Sequence, residues 1–320
     1  MSGRNTIGVI VVNWNAGQTL QRCVASLLHQ TRPPARIIIV DNDSKDGSVE
    51  LVARLDPRVE IVQLEGNAGF AAANNVGIKL LSDCKWVALL NPDAYAEPDW
   101  LQRLMDSVVE NPRFTFFASR MLSDSDPNVL DGAGDGYHFT GMPGRRGYGL
   151  NAAGRYLEQD EVFSACAAAA LYRRDILAEV GGFDESFFCY MEDMDLGFRL
   201  RLRGYRCLYV PTAIVRHVGS GTTGKQSDIA VYYGHRNLVW TFVKNMPLFW
   251  LVILFVPHLI MNLAVVFWFT RRGKGRLIVR SKWTAVRALA RVLHQREEVA
   301  KNRKCSVWHI AGLLSSRVYR

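Results

Sequence analysis

KWVALLNPDAYAEPDW, residues 85–100, changes character within a few positions. Trp86–Leu90 is an apolar run of strand length. Asn91-Pro92-Asp93 ends it, because a proline cannot donate to a strand ladder. A helix is predicted to begin near Pro98. Turn chemistry by itself accounts for Asn, Pro and Asp at such a point. An amide and a carboxylate at the tip of a buried strand also have a chemical use, and the flanking segments decide whether they serve it.

Upstream, strand and helix signals alternate. Ile7–Val12 is rich in β-branched residues, and Gly17–His29 places Leu20, Val24, Leu27 and Leu28 on one helical face. Arg36–Val40 is the next strand. DNDSKDGS follows it, with Asp46 or Ser48 placed to cap a helix over Val49–Leu55. Val59–Leu64 is a third strand, followed by EGNAGF and a helix over Ala71–Leu81. This order predicts a mostly parallel α/β sheet, whose ligands bind beyond the carboxyl ends of the strands. Asn13, Asn15, Asp41, Asn42, Asn67, Asn91 and Asp93 all fall at those ends. Asp93 is therefore expected to form one wall of a shared site. No G-x-G-x-x-G follows the first strand and no phosphate-binding P-loop occurs, which disfavours a dinucleotide-dependent dehydrogenase and a P-loop NTPase.

Ser123–Gly154 is rich in glycine and polar residues and reads as a long loop. FSACAAAALYRRDIL reads as a buried strand entering a helix. A helix over Glu192–Arg203 and a strand over Arg206–Val210 follow. Glu192, Asp193 and Asp195 stand at a helix N-terminus, where acids favour the dipole. At a cleft one of them can act as a general base. Asp41 is placed to accept from a nucleobase imide. Asp93 suits a divalent cation, which prefers oxygen ligands. His217 precedes a Gly/Ser/Thr loop; a lone histidine reads first as structural.

The chain has 320 residues, enough for one large domain or two small ones, and six cysteines without C-x-x-C spacing. That pattern opposes a zinc ribbon or a secreted disulfide framework and predicts free thiols in a reducing compartment. MSGRNTIGVIVVNWN lacks a secretory signal pattern, so a cytoplasmic N-terminus is expected. The formal charge of +9 is uneven: residues 271–320 carry 14 Lys/Arg against 2 Asp/Glu, and the rest is near neutral. Such a tail suits an anionic membrane surface or nucleic acid, and the apolar run 248–269 beside it favours lipid. That run is long enough to cross about 30 Å of hydrocarbon, or to be a buried core helix. Pro257, His258 and Asn262 interrupt it. A single crossing would export the basic tail against the positive-inside rule. A re-entrant hairpin, roughly 248–256 and 259–269, is therefore expected, with both ends cytoplasmic. Over 282–296, Trp283, Val286, Leu289, Ala290 and Leu293 share a face. Lys282, Arg287, Arg291 and Arg296 fall largely elsewhere, which predicts a basic amphipathic helix on lipid headgroups.

In order, VIVVNWN, IIIVDNDSKDGS, GNAGFAAANNVGI, LLNPDA, VGGFDESFFCYMEDMDLGFRLRLRGY and RHVGSG resemble the family 2 glycosyltransferases of GT-A fold, most of all their bacterial rhamnosyltransferase-like branch. The likeness covers roughly residues 5–245, leaving 246–320 as a membrane-associating region on the cytoplasmic face of the cell membrane. It implies an inverting transfer of a sugar from a nucleoside-diphosphate donor, with dTDP-rhamnose the first choice, to a hydroxyl of a lipid-linked or cell-envelope glycan. By the same likeness Asn13, Asn15, Asp41 and Asn67 line the nucleotide pocket. Asn91-Pro92-Asp93 stands where the family has Asp-x-Asp, with Asn91 replacing the first acid. Asp93 and His217 would hold Mg2+ or Mn2+, and Asp193, beside Glu192, would be the catalytic base. The competing readings are a sugar nucleotidyltransferase and a non-catalytic membrane-binding scaffold. The first is expected to carry basic residues after strand one, and NWNAGQTL has none. The second is opposed by the intact Asp93, Asp193 and His217.

Overall fold

The computed structural model describes residues 6–219 and 227–317. The strands are β1 (Ile7–Asn13), β2 (Arg36–Asp41), β3 (Val59–Gln63), β4 (Trp86–Leu90), β5 (Ala94–Ala96), β6 (Phe116–Ser123), β7 (Leu130–Ala133), β8 (Asp135–Tyr137), β9 (Pro143–Arg145), β10 (Asp160–Val162), β11 (Ala169–Arg173) and β12 (Cys207–His217). The helices are α1 (Gln18–Leu28), α2 (Gly69–Leu80), α3 (Trp100–Glu110), α4 (Arg174–Glu179), α5 (Glu192–Leu202), α6 (Asp228–Asn245), α7 (Leu248–Arg271), α8 (Gly275–Arg287), α9 (Leu289–Lys301) and α10 (Val307–Leu313).

One mixed sheet runs β10-β12-β6-β11-β4-β1-β2-β3, with β5 on β12 and β7 on β6. Strands β4, β1, β2 and β3 are parallel, while β11 enters antiparallel between β4 and β6. Both faces of β1, β2 and β4 are covered, so their central residues are apolar, while β3 at the sheet edge is only half-buried and carries Glu60 and Gln63. Alternation sorts them: Val9, Val11, Ile37 and Ile39 pack with α1 and α3, and Ile10, Val12, Ile38 and Val40 pack with α2, α4 and α5. Helix α2 lies so close to β1 that a Cβ on Gly77 would sit 2.7 Å from the Ile10 side chain. The six cysteines are free.

Several expectations need correction. Val49–Leu55 forms turns rather than a helix, because Asp46 bonds elsewhere: its Oδ2 accepts from Gly17 N at 2.7 Å and its Oδ1 from Ser48 Oγ at 2.6 Å. Ser123–Gly154 contains β7, β8 and β9, strands too short and glycine-rich to show a period. Residues 248–271 form one continuous helix and no hairpin. Pro257 is accommodated inside it, at the loss of one backbone bond. Residues 282–296 fall on two helices, α8 and α9, which meet at Ala288. Lys282 and Arg296 turn inward: Lys282 Nζ donates to His235 O at 2.8 Å, and Arg296 Nη1 to Val243 O at 2.7 Å and Met246 O at 2.6 Å. The Gly/Ser/Thr loop after His217 lies mostly in 220–226, outside the described residues.

Helix α6 is fastened to α5 through charge. Lys244 Nζ lies 2.7 Å from Asp184 Oδ2 and 2.9 Å from Asp195 Oδ1. Asp195 also receives Arg199 Nε at 2.8 Å and Asn245 Nδ2 at 2.8 Å. Burial would raise the Asp184 pKa, but the ammonium and the Ser186 bonds outweigh it and bring it down to about 2. A carboxyl held low stabilises fully above its ordinary range, and the contribution disappears as pH falls through the folded value. Lys244→Met should cost about 3 kcal/mol in chemical denaturation at pH 7, because Asp184 loses its buried partner. The native protein should lose stability between about pH 4 and 2, and the variant should lose less over that interval.

Candidate active site

A cleft of about 1000 Å3 opens at the carboxyl ends of β1, β2 and β4. Its wall includes Asn67, Asn91, Asp93, Glu192, Asp193 and His217 from the sequence expectations. Asn13 and Asp41 stand behind that wall. Asn13 Nδ2 donates to Asp41 Oδ1 at 2.7 Å, to Ser44 Oγ at 3.0 Å and to Ser48 Oγ at 2.8 Å. The Asp41 oxygens accept from Ser44 N and Oγ. This buried corner shapes the 42–48 turn, and Val12, Trp14 and Asn42 form the wall in front of it. Asn15, at φ 50°, accepts from Lys45 N at 2.8 Å and braces the same turn.

The opposite end of the cleft is acidic. Strand pairing sets His217 of β12 beside Ala94 of β5, one residue past Asp93. His217 Nε2 lies 3.3 Å from Asp93 Oδ1, and His217 Nδ1 lies 2.7 Å from Asp131 Oδ2. Arg145 Nη1 contacts the same Asp131 oxygen at 2.6 Å. Burial would lower the His217 pKa, but the bonds to Asp131 and Asp93 reverse that and raise it to about 9. A metal-binding histidine ordinarily gives its second nitrogen to a carboxylate, and Asp131 fills that position. Two ligands of one ion, each near 2.1 Å from it, lie about 3 Å apart, so the Asp93–His217 spacing fits a shared cation.

Asp193 stands in the first turn of α5. Its Oδ2 accepts from Ala167 N at 3.1 Å and its Oδ1 from Met194 N at 2.8 Å. Glu192 is buried, and its Oε2 has no hydrogen-bond partner among the described residues. Burial first, and the Asp193 charge second, push the Glu192 carboxyl well above its usual range. Asp195 faces the Lys244–Arg199 network and not the cleft. Asp135, from the segment read as loop, has a ligand atom within 4.8 Å of those of Cys166 and Asp193. Burial, then the Asp193 charge, raise Asp135 to about 8. Burial holds Cys166 as a thiol.

The turn before α5 is strained. Phe188, Tyr190 and Met191 have φ of 66°, 65° and 70°, a left-handed conformation costing about 1–3 kcal/mol each in non-glycine residues. Asn237 of α6 holds it, with Nδ2 donating to the carbonyls of Phe187 at 2.9 Å, Cys189 at 3.0 Å and Tyr190 at 2.7 Å. Arg236 Nη2 donates to the carbonyls of Ser186 and Phe187, each at 2.9 Å. Asp131, Asp135, Arg145, Asn237 and Trp14 are thus site residues that sequence reasoning missed. The one available signal was the run of acids among glycines at 131–136.

The model of glycosyl transferase family 2 matches residues 8–181, and that of glycosyl transferase family group 2 matches residues 159–290. N-acetylglucosaminyl-diphospho-decaprenol L-rhamnosyltransferase of Mycobacterium tuberculosis is 30% identical over 252 residues, 72% of this chain and 82% of that protein. An uncharacterized glycosyltransferase of Bacillus subtilis, YwdF, is 30% identical over 226 residues, 69% of this chain and 77% of that protein. Among solved structures, GalNAc-T7 with UDP, GalNAc and Mn2+ superposes with a TM-score of 0.61 at 16% identity, over 76% of this chain and 48% of that one. Staphylococcus aureus TarS gives 0.53 at 16% identity, over 75% of this chain and 40% of that one. The chain spans less than half of either solved chain, and both likenesses show the GT-A type of fold alone. With more than half of its length inside the family model, and a 30% identical relative matched over most of that relative's length, this chain belongs to glycosyl transferase family 2 and is a rhamnosyltransferase-like glycosyltransferase.

Proposed function

We propose that the protein is an inverting glycosyltransferase that moves a sugar from a nucleoside diphosphate to a hydroxyl of a lipid-linked glycan, at the cytoplasmic face of the membrane. The observation that carries this reading is the convergence of Asp93, His217 and Asp193 on one cleft, whose lining also includes Trp14, Asn42 and Asn67. dTDP-rhamnose is the proposed donor, because the mycobacterial relative is named as an L-rhamnosyltransferase. That relative's name also supplies the proposed acceptor class, a polyprenyl-diphosphate sugar. Residues 1–245 carry the chemistry and 246–320 hold it to the membrane.

In this reading Asp93 and His217 hold Mg2+ or Mn2+, which when bound offsets the negative charge of the donor diphosphate. Asn67 offers its amide nitrogen to the nucleoside, and Asn42, bonded to the backbone of Ala68 and Gly69, braces that segment. Asn91 opens the Asn-Pro-Asp turn and sets Asp93 at the strand tip. Asp193 accepts the proton of the acceptor hydroxyl as that oxygen attacks the anomeric carbon, and attack opposite the leaving group inverts the configuration. Burial and the Asp193 charge disfavour an ionised Glu192, which leaves base work to Asp193. Asp135, beside Asp193 and raised by burial, is a neutral hydrogen-bonding partner for the incoming hydroxyl.

A donor screen with purified protein, following released nucleoside diphosphate with and without divalent metal, tests the activity. Release from one nucleotide sugar should depend on a polyprenyl-diphosphate acceptor. No release from any nucleotide sugar would remove the reading. Asp193→Asn should bind nucleotide as the native protein does and transfer about 10²–10⁴-fold more slowly, the usual scale of general-base loss. Near-native turnover would move the base to Glu192 or Asp135.

A further inference from the structure

Helix α7 has two faces with opposite surroundings, an exposed one that is wholly apolar and one turned to the body that also carries His258 and Asn262. At helical spacing, Val252, Val256, Ile260, Leu263 and Phe267 are 58–68% exposed. The other face is fastened to the body along its length. Trp250 Nε1 donates to Val307 O at 2.9 Å. His258 stacks on Phe242 with ring centroids 3.8 Å apart, and its Nδ1 lies 2.7 Å from Thr140 O. Phe269 packs with Val231 and Ile278.

Those anchors span residues 250–269, about 28 Å at 1.5 Å per residue. A helix that crosses a bilayer leaves a soluble domain after a turn or two, and α7 never leaves it. We infer that α7 lies in the plane of an anionic bilayer, its outer face among the acyl chains, and does not cross.

Trp308 of α10, 65% exposed, meets Phe249 and Trp250 at the start of α7, and Trp283 of α8 and Leu293 of α9 add apolar side chains that are 61% and 47% exposed. Arg271, Arg272, Arg276, Arg280 and Arg287 are exposed in and after the last turn of α7. Contiguous apolar area on this scale marks a contact surface in a soluble protein. A second copy of the chain is a poor cover for it, since pairing would bring together two segments that each carry 14 Lys/Arg against 2 Asp/Glu. An anionic leaflet supplies both the hydrocarbon and the counter-charge.

The arrangement brings the cleft to the lipid. Ile229, Ala230 and Tyr233 of α6 line the cleft, while Val231 on the same turn packs against Phe269 of α7. A lipid-borne hydroxyl therefore reaches the mouth without leaving the interface. This extends the membrane part of the function proposed above and is independent of donor and acceptor.

The test uses full-length protein and preformed vesicles, without donor or acceptor, so it stands apart from any failure of catalysis. Flotation should show binding to phosphatidylglycerol vesicles, weaker binding to phosphatidylcholine, and at least tenfold weaker binding of Val256→Glu/Leu263→Glu. Reporters fused at the two ends of the native chain in cells should both report from the same side of the membrane. Reporters on opposite sides would establish a crossing and overturn the inference. So would a protein that stays off vesicles and forms dimers, or a variant that binds vesicles as the native protein does.

Discussion

A buried ammonium between two carboxylates, Lys244 between Asp184 and Asp195, fastens the helix that carries Asp193 to the helix that supports the C-terminal face. Burying three charges is costly, and the cost is offset only when each has its partners. Asp195 has three, in Lys244, Arg199 and Asn245. The result is that α5 and α6 cannot move independently. Two turns further back along α6, Asn237 and Arg236 donate to the carbonyls of Ser186, Phe187, Cys189 and Tyr190 in the strained turn before α5. Position of Asp193, shape of the cleft and attachment of the outer helices therefore rest on one helix.

The acidic end of the cleft follows the same logic of paired groups. His217 is held by backbone pairing at the end of β12 and by side chains on both ring nitrogens. Asp131 orients it, and Arg145 neutralises Asp131. Asp93, just before β5, and Asp131, in β7, are brought to His217 because β5 pairs with β12 and β7 pairs with β6, and Arg145 reaches Asp131 from β9. The site is a product of sheet topology more than of any local motif.

That explains what the sequence made legible. β1, β2 and β4 were readable because strands buried on both faces are uniformly apolar, and their tips located Asn91 and Asp93. Asp131, Asp135 and Arg145 were not, because strands of three or four residues among glycines carry no period. Asn13 and Asp41 were placed at the right strand ends but one layer too far forward, since a buried amide–carboxylate bond and an exposed one look alike in sequence. Pro257 misled in the other direction. A proline marks a break in an isolated helix, but here anchors at Trp250, His258 and Phe269 hold the segments on either side in line.

The proposed chemistry requires a cation held jointly by Asp93 and His217 at the donor diphosphate. Pulsed electron paramagnetic resonance of bound Mn2+, with nucleoside diphosphate present, reads this directly. A nitrogen coupling from one directly bound imidazole and a phosphorus coupling are predicted in the native protein, the nitrogen coupling alone being lost in His217→Gln. A Mn2+ signal with phosphorus coupling and no nitrogen coupling in the native protein would contradict it.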